Sequence, residues 1–245
     1  MSAIFQHLFV LGRPACGKSE FIDFLKHATE PTRRQRLHVG RFEEVDDFPW
    51  LWEKFQEDAL WEKAGHERLY THEYMPGNPG MAPRGAKLFD WCMQKFNDVI
   101  ARQYLSQDDF YRDSTLLIEF SRGGPNGFGR ALGMLDARVL APSAILYIKV
   151  SREESWRRNE ARYQEKLKHS ILAHMVPRET YDYFYDTNDW DDLTEGRPSG
   201  WLEVNGLQVP FVSMHNEPES TDPGVLEERY ASALGELWSL RSARP

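Results

Sequence analysis

A chain of 245 residues is long enough to bury a sizeable core, and its 41% hydrophobic and 28% charged content is that of an ordinary globular protein. The formal net charge of −8 argues against nucleic acid as the main partner, and two cysteines, Cys16 and Cys92, exclude a disulfide framework and fit a reducing, cytoplasmic compartment. No run approaches the roughly 18 consecutive apolar residues of a membrane span, so no membrane partner is expected.

The first predicted element is a buried strand, the apolar run His7-Leu8-Phe9-Val10-Leu11, ending at Gly12. That run leads straight into a glycine-containing loop, so it does not read as a signal peptide. Lys18 to Ala28 then sets Phe21, Ile22, Phe24 and Leu25 on one helical face, and Pro31 closes the helix. A second strand is predicted at Leu37–Arg41, followed by helices near Pro49–Trp61 and Gly85–Leu105. Between these helices, THEYMPGNPGMAPRG has the Pro and Gly content of a loop. Its length suits either a segment over a site or a plain excursion.

Ser114 to Phe120 is the next strand, apolar over Leu116–Ile118 and then acidic at Glu119. A Gly-rich turn and a helix near Arg130–Val139 follow. Ala144–Val150 is a strongly β-forming central strand, and a long charged helix starts after Ser151. Val209–Met214 and Pro223–Leu240 read as the last strand and the last helix. Strands alternating with helices predict an α/β/α sandwich on a mostly parallel sheet of about five strands. One unit over 1–245 is expected, with a helical and loop insertion at about 48–112 and a lid-like helical segment at about 151–195.

The segment Gly12-Arg13-Pro14-Ala15-Cys16-Gly17-Lys18-Ser19 matches G-x-x-x-x-G-K-S/T. The glycines let the backbone turn so that successive N–H groups face phosphate oxygens, and the helix N-terminus adds its positive end. Lys18 can reach the β- and γ-phosphates, and the Ser19 hydroxyl can ligate Mg²⁺. A predicted strand before the motif and a predicted helix after it are the context the motif needs. Cys16 reads as a position that lends its backbone.

Such a site needs an acid at the carboxyl end of a buried strand, and Glu119 in LLIEF is placed for it, as metal ligand or as proton acceptor. Arg122, on the turn just beyond, can pair with an anionic group of an acceptor or stand as a surface arginine. In SREESWRRNEARYQEKLKH, Arg158 and Arg162 share a helix face, beside Arg157. Arginines after the fourth strand can close over a nucleotide and neutralise charge in the transition state. The alternative is pairing with Glu153, Glu154, Glu160 and Glu165 on the same helix.

Together GRPACGKS, LLIEFSR and AILYIKVSREESWRRNEAR resemble the P-loop kinases of the nucleoside and nucleotide kinase group. The resemblance covers the layout of most of the chain and is specific at the phosphate loop. It implies a sheet order of 2-3-1-4-5, loop roles for Lys18 and Ser19, a metal or base role for Glu119, and a lid role for Arg158 or Arg162. In deoxynucleoside kinases an arginine directly follows the strand-end acid; here Phe120 follows and the arginine stands at 122. The acceptor is then expected near the end of the second strand, where GRFEEVDDFPWLW offers Arg41, Glu43, Glu44, Asp46 and Asp47, with Trp50 as a stacking surface. Asp46, Asp47 and Arg122 are the expected acceptor contacts; the same polar run can equally cap a helix.

The expected activity is ATP- or GTP-dependent, Mg²⁺-assisted phosphotransfer to a small-molecule acceptor such as a nucleoside, a nucleotide or another metabolite. The alternative is a P-loop ATPase or nucleotide-dependent regulatory protein without such an acceptor. A GTPase is disfavoured, since neither D-x-x-G nor N-K-x-D occurs.

Overall fold

The computed structural model of the chain describes residues 4–73, 81–83, 85–107, 109–124, 127–167, 176 and 178–243, with the backbone alone at 73, 81–83, 166 and 167. Strand β1 (His7–Gly12) is buried throughout and runs into helix α1 (Lys18–His27). A π-helical turn over Thr32–Arg36 then leads to β2 (Arg41–Asp46) and α2 (Phe48–Lys63). A hairpin of β3 (Thr71–Glu73) and β4 (Met81–Pro83) precedes α3 (Lys87–Gln103) and the short α4 (Phe110–Asp113). Then come β5 (Ser114–Phe120), α5 (Gly127–Gly133), α6 (Ala137–Leu140) and β6 (Ser143–Lys149). The chain continues through α7 (Arg152–Leu167), α8 (Arg178–Tyr185), α9 (Trp190–Leu193), β7 (Ser199–Val204), β8 (Leu207–His215) and α10 (Pro223–Ser242).

The described residues form a six-stranded sheet in the order β2-β5-β1-β6-β8-β7. The first five strands of that order are parallel, and β7 adds antiparallel to β8 at the edge. Helices cover both faces, so the three-layer α/β/α class expected from the sequence is the class observed. Alternation along the strands explains the two cores. Phe9 and Leu11 of β1 join Ile118, Phe120, Ile145 and Phe211 against α3, α5 and α6. Leu8 and Val10 join Leu117, Leu146 and Met214 against α1 and α10. Successive side chains of a strand point to opposite faces, so a parallel sheet covered on both sides reads as continuous apolar runs.

Several sequence expectations need correction. The second strand is not Leu37–Arg41 but Arg41–Asp46, paired with β5 from Arg41 against Ser114 to Asp46 against Glu119. It is an edge strand, where exposed charges such as Glu43 and Glu44 are tolerated and discourage pairing with other chains. Leu37 and Val39 are buried in the approach to it. The sheet has six strands because Ser199–Val204 and Leu207–His215 form a hairpin. The single helix expected near Arg130–Val139 is two, α5 and α6. Asn97 stabilises the break, donating to Met134 O (2.9 Å) and accepting from the Asp136 N–H (2.8 Å). Pro31 does not end α1; it starts the π-helical turn. The loop expected over 71–85 begins and ends in the β3–β4 hairpin, and its residues 74–80 and 84 lie outside the described residues. Among the described residues no helix is long and apolar enough to cross a membrane.

Candidate functional site

The Gly12–Ser19 loop joins the carboxyl end of the central strand β1 to the N-terminus of α1. Glycine is required at both of its ends. At Gly12 (φ 153) a Cβ would sit 2.5 Å from Cys16 Sγ and 2.6 Å from Ile148 O; at Gly17 (φ 110) it would sit 2.3 Å from Asn216 Nδ2. Cys16 therefore does more than lend its backbone, because its fully buried thiol packs over Gly12. Burial raises the pKa of that thiol, against the pull of the Lys18 charge.

The loop's carbonyls are held from outside. Pro14 O accepts from Ser155 Oγ of α7 (2.5 Å), which lies 2.8 Å from the Tyr181 hydroxyl of α8. Cys16 O accepts from Asn216 Nδ2 (2.9 Å) and, more distantly, from Arg158 (3.5 Å). In a trans peptide the next N–H points opposite to the carbonyl, so these anchors turn the Ala15 and Gly17 N–H groups the other way. Helix α1 has no side-chain cap, which leaves its first-turn N–H groups without intrahelical acceptors. A strand-to-helix loop that leads into an uncapped helix N-terminus beside a buried lysine is built to hold an anion.

Lys18 is buried, with its ammonium 2.7 Å from Ser121 Oγ, 3.1 Å from Arg13 O and 3.8 Å from a Glu119 carboxylate oxygen. Burial opposes its charge, but Cys16, Glu119 and Asp46 together outweigh burial and raise its pKa, with Arg162 acting against them. Burial likewise raises the Glu119 carboxyl, against the pull of Lys18. Asp46 stands opposite Glu119 in the parallel register, and burial, followed by the Glu119 charge, pushes its pKa up to about 7. The two carboxylates and Lys18 thus form one coupled cluster at the carboxyl edge of the sheet. Among the described residues no group of three or more His, Cys, Asp or Glu side chains is placed to hold a metal by itself.

Of the residues singled out in the sequence, Lys18, Glu119 and Asp46 come together at this edge. Asp46 also accepts the Phe48 N–H (2.9 Å), so it serves the start of α2 as well. Asp47 and Arg122 are both buried and meet each other at 2.7 Å. Arg122 is further held by Ser121 O and Met93 Sδ, with Phe89 and Phe120 against its guanidinium, so it is not a surface arginine. Arg158 is buried and committed to Glu154 (2.7 Å) and Asn216 O (2.6 Å). Arg157 lies outside, paired with Glu154 and Glu219. Arg162 is half-buried on α7, close enough to oppose the Lys18 charge, and has no hydrogen bond or ion pair among the described residues. Ser19 is exposed at the start of α1.

Sequence reading missed Ser121, Ser155, Asn216 and Arg229, which donates to Asn216 Oδ1. Ser121 adjoins the LLIEF motif and could have been found there. Asn216 lies 200 residues from the carbonyl it holds, and no local signal marks it. Alanine at Asn216 frees the Gly17 peptide to rotate. It is expected to weaken pyrophosphate binding about tenfold, the loss of roughly one hydrogen-bond anchor to the loop. Calorimetric titration of the variant checks this, and an affinity equal to the parent's would show that the anchor is dispensable.

A pocket of about 220 Å³ lies at Arg122, lined by Phe89, Met93, Arg122, Gly123, Phe184 and Tyr185 among others. Arg13 ties the loop to this wall by donating to Tyr185 O.

No protein-family model matches the chain, and no curated protein does. Among solved structures it is similar to one described as the crystal structure of APE1195, at 14% identity over 96% of this chain and 98% of that one, with a TM-score of 0.45. It is also similar to an unliganded sugar kinase from Janibacter sp. HTCC2649, at 13% identity over 96% and 98% of the two chains, with a TM-score of 0.44. Likeness at that distance leaves function to the site's own chemistry.

Proposed function

We propose that this chain is an ATP- or GTP-dependent phosphotransferase of the P-loop class acting on a small-molecule acceptor. The observation that carries this reading is the buried Lys18 at the start of α1, flanked by an anchored loop and facing Glu119 at 3.8 Å. In this reading the triphosphate lies on Gly12, Arg13, Pro14, Ala15, Cys16, Gly17, Lys18 and Ser19. Backbone N–H groups cradle the phosphates, and the Lys18 ammonium leaves Arg13 O and Ser121 to reach the β- and γ-phosphates.

Ser19 and Glu119 fit the hard oxygen donors that Mg²⁺ takes, with phosphate oxygens and water completing its shell. The observation favouring them is Glu119 itself, a carboxylate whose charge is opposed by burial and which a cation would relieve. When bound, Mg²⁺ supplies charge neutralisation to the phosphates. The acceptor hydroxyl oxygen attacks the γ-phosphorus, and the bond to the β–γ bridging oxygen breaks. The hydroxyl proton passes to the Asp46 or Glu119 carboxylate, and the nucleoside diphosphate leaves with the bridging electrons.

The described residues of the expected insertion at 48–112, α3 above all, wall the acceptor half of the site in this account. Within the expected lid segment at 151–195, whose residues 168–175 and 177 lie outside the described residues, α7 acts as the lid, Arg162 being its candidate phosphate contact and Arg158 a brace of the loop. A nucleotide-driven switch needs no acceptor pocket, so the cavity beside Arg122 favours transfer over the regulatory alternative. The experiment is a Mg·ATP titration followed by a screen of metabolite pools for ATP-dependent phosphorylation. A labelled product is expected. Binding and hydrolysis with no product from any pool would favour the ATPase instead.

A further inference from the structure

The pocket beside Arg122 has walls of a defined electrical character. Arg122 lines it, in ion-pair contact with Asp47 at 2.7 Å, with both side chains buried. Burial pushes the Asp47 carboxyl up, against the pull of the Arg122 guanidinium in contact with it. At the rim, Arg130 makes a two-pronged contact to Asp90, Nε at 2.8 Å and Nη2 at 2.6 Å. Each arginine at the pocket is therefore matched by its own carboxylate. Asp46 and Glu119 stand next to this pair in sequence and register, beside Lys18. Among the described residues that line the pocket the charged ones are Asp90, Arg122 and Arg130, and Asp47 pairs with Arg122. The rest of the lining is Phe89, Met93, Gly123, Phe184 and other small or apolar groups.

We infer that this pocket takes an electrically neutral, hydroxyl-bearing acceptor with an apolar or aromatic body, and rejects acceptors that already carry a phosphate or carboxylate. The inference rests on the phosphotransfer reading and narrows its substrate class. The cations that line the pocket, Arg122 and Arg130, are each already paired with a carboxylate, so an anion entering would lose its hydration with no unpaired lining cation to receive it. Arg122 has a buried Nε–H without a hydrogen-bond partner, a donor that a neutral acceptor oxygen can satisfy without adding a second counter-ion. The volume, about 220 Å³, suits one compact ring system better than an extended chain. The transfer conserves charge and atoms as written above: the neutral alcohol gains the γ-phosphoryl group and its proton goes to a carboxylate.

The test compares matched acceptors that differ by one phosphate, such as nucleosides with their monophosphates and sugars with their sugar phosphates. Mg·ATP binding is measured separately. Neutral members are expected to be used with kcat/KM at least about tenfold above their phosphorylated partners. Asp90→Asn, which uncovers Arg130, is expected to narrow that gap by about tenfold. Ala86→Trp, a filling substitution at the exposed rim, is expected to abolish acceptor use with Mg·ATP affinity within about twofold of the parent's. Phosphorylated acceptors used as well as neutral ones would overturn the inference, as would full activity of Ala86→Trp. Mg·ATP binding without transfer to either class would overturn it while leaving the nucleotide site standing. Failure to bind Mg·ATP would remove both.

Discussion

Alanine at Arg162 is expected to lower turnover by about 10³-fold, on the order of 4 kcal/mol, while Mg·ATP binding stays near that of the parent. The two arginines of α7 differ in what they already do. Arg158 is buried and bonded to Glu154 and Asn216 O, beside the carbonyl of Cys16. It cannot swing to a phosphate without breaking these contacts. Arg162 is half-buried, has no partner among the described residues, and lies where its charge acts on Lys18. A cation held that close to another is positioned for a shared anion. Alanine at Arg158 should instead cost about 1–3 kcal/mol of stability, from carbonyls and a carboxylate left short of a donor, and should weaken nucleotide binding with it. Binding by calorimetry, turnover with a verified acceptor and thermal melts separate the two patterns. Normal turnover in Arg162→Ala would make α7 a bracing helix only.

Glutamine at Glu119 keeps the shape and removes the charge, and turnover is expected to fall by at least about 10²-fold. Activity within about twofold of the parent would leave the carboxylate without a role. Its neighbour Asp46 adds a dependence on pH. The folded-state pKa of Asp46 is pushed up to about 7 by burial and by Glu119, well above the ordinary carboxylate range. Between the unfolded value and about 7, the folded protein holds a proton that the unfolded chain has released. Stability therefore falls as pH rises through that window, and below it the effect vanishes. Asparagine at Asp46 removes this slope. Melts of the ligand-free protein at pH 5 and pH 8 should show the parent losing more stability than Asp46→Asn, and parallel losses would mean that Asp46 does not carry the raised pKa.

The central fold was legible because parallel strands buried on both faces leave apolar runs, as at His7–Leu11 and Ala144–Val150. The loop was legible because Gly12, Gly17 and Lys18 each meet a local backbone or charge requirement. Edge strand β2 was misplaced because its one buried residue, Val45, is surrounded by charges that an edge allows. The β7–β8 hairpin was missed although Asn205-Gly206, both at positive φ (51 and 77), is a strong turn signal between alternating segments. The remaining gap is tertiary. The pairing of Arg122 with Asp47, and the grip of Asn216 and Ser155 on the loop carbonyls, join residues between 75 and 200 positions apart. No sequence period encodes such contacts. They also separate Arg122, Arg157 and Arg158, already paired, from Arg162, which has no partner among the described residues, a division that the residue types alone could not make.

The measurement that bears most directly on the phosphate site is a calorimetric titration of the parent chain and of Lys18→Ala with Mg·ATP and Mg·GTP. The parent should bind at least one of them, and the variant should lose affinity tenfold or more, on the order of 1.4 kcal/mol or above, because the loop would then lack its buried cation. Absence of binding in the parent, or equal affinity in the two proteins, would contradict a triphosphate seated on Gly12–Ser19.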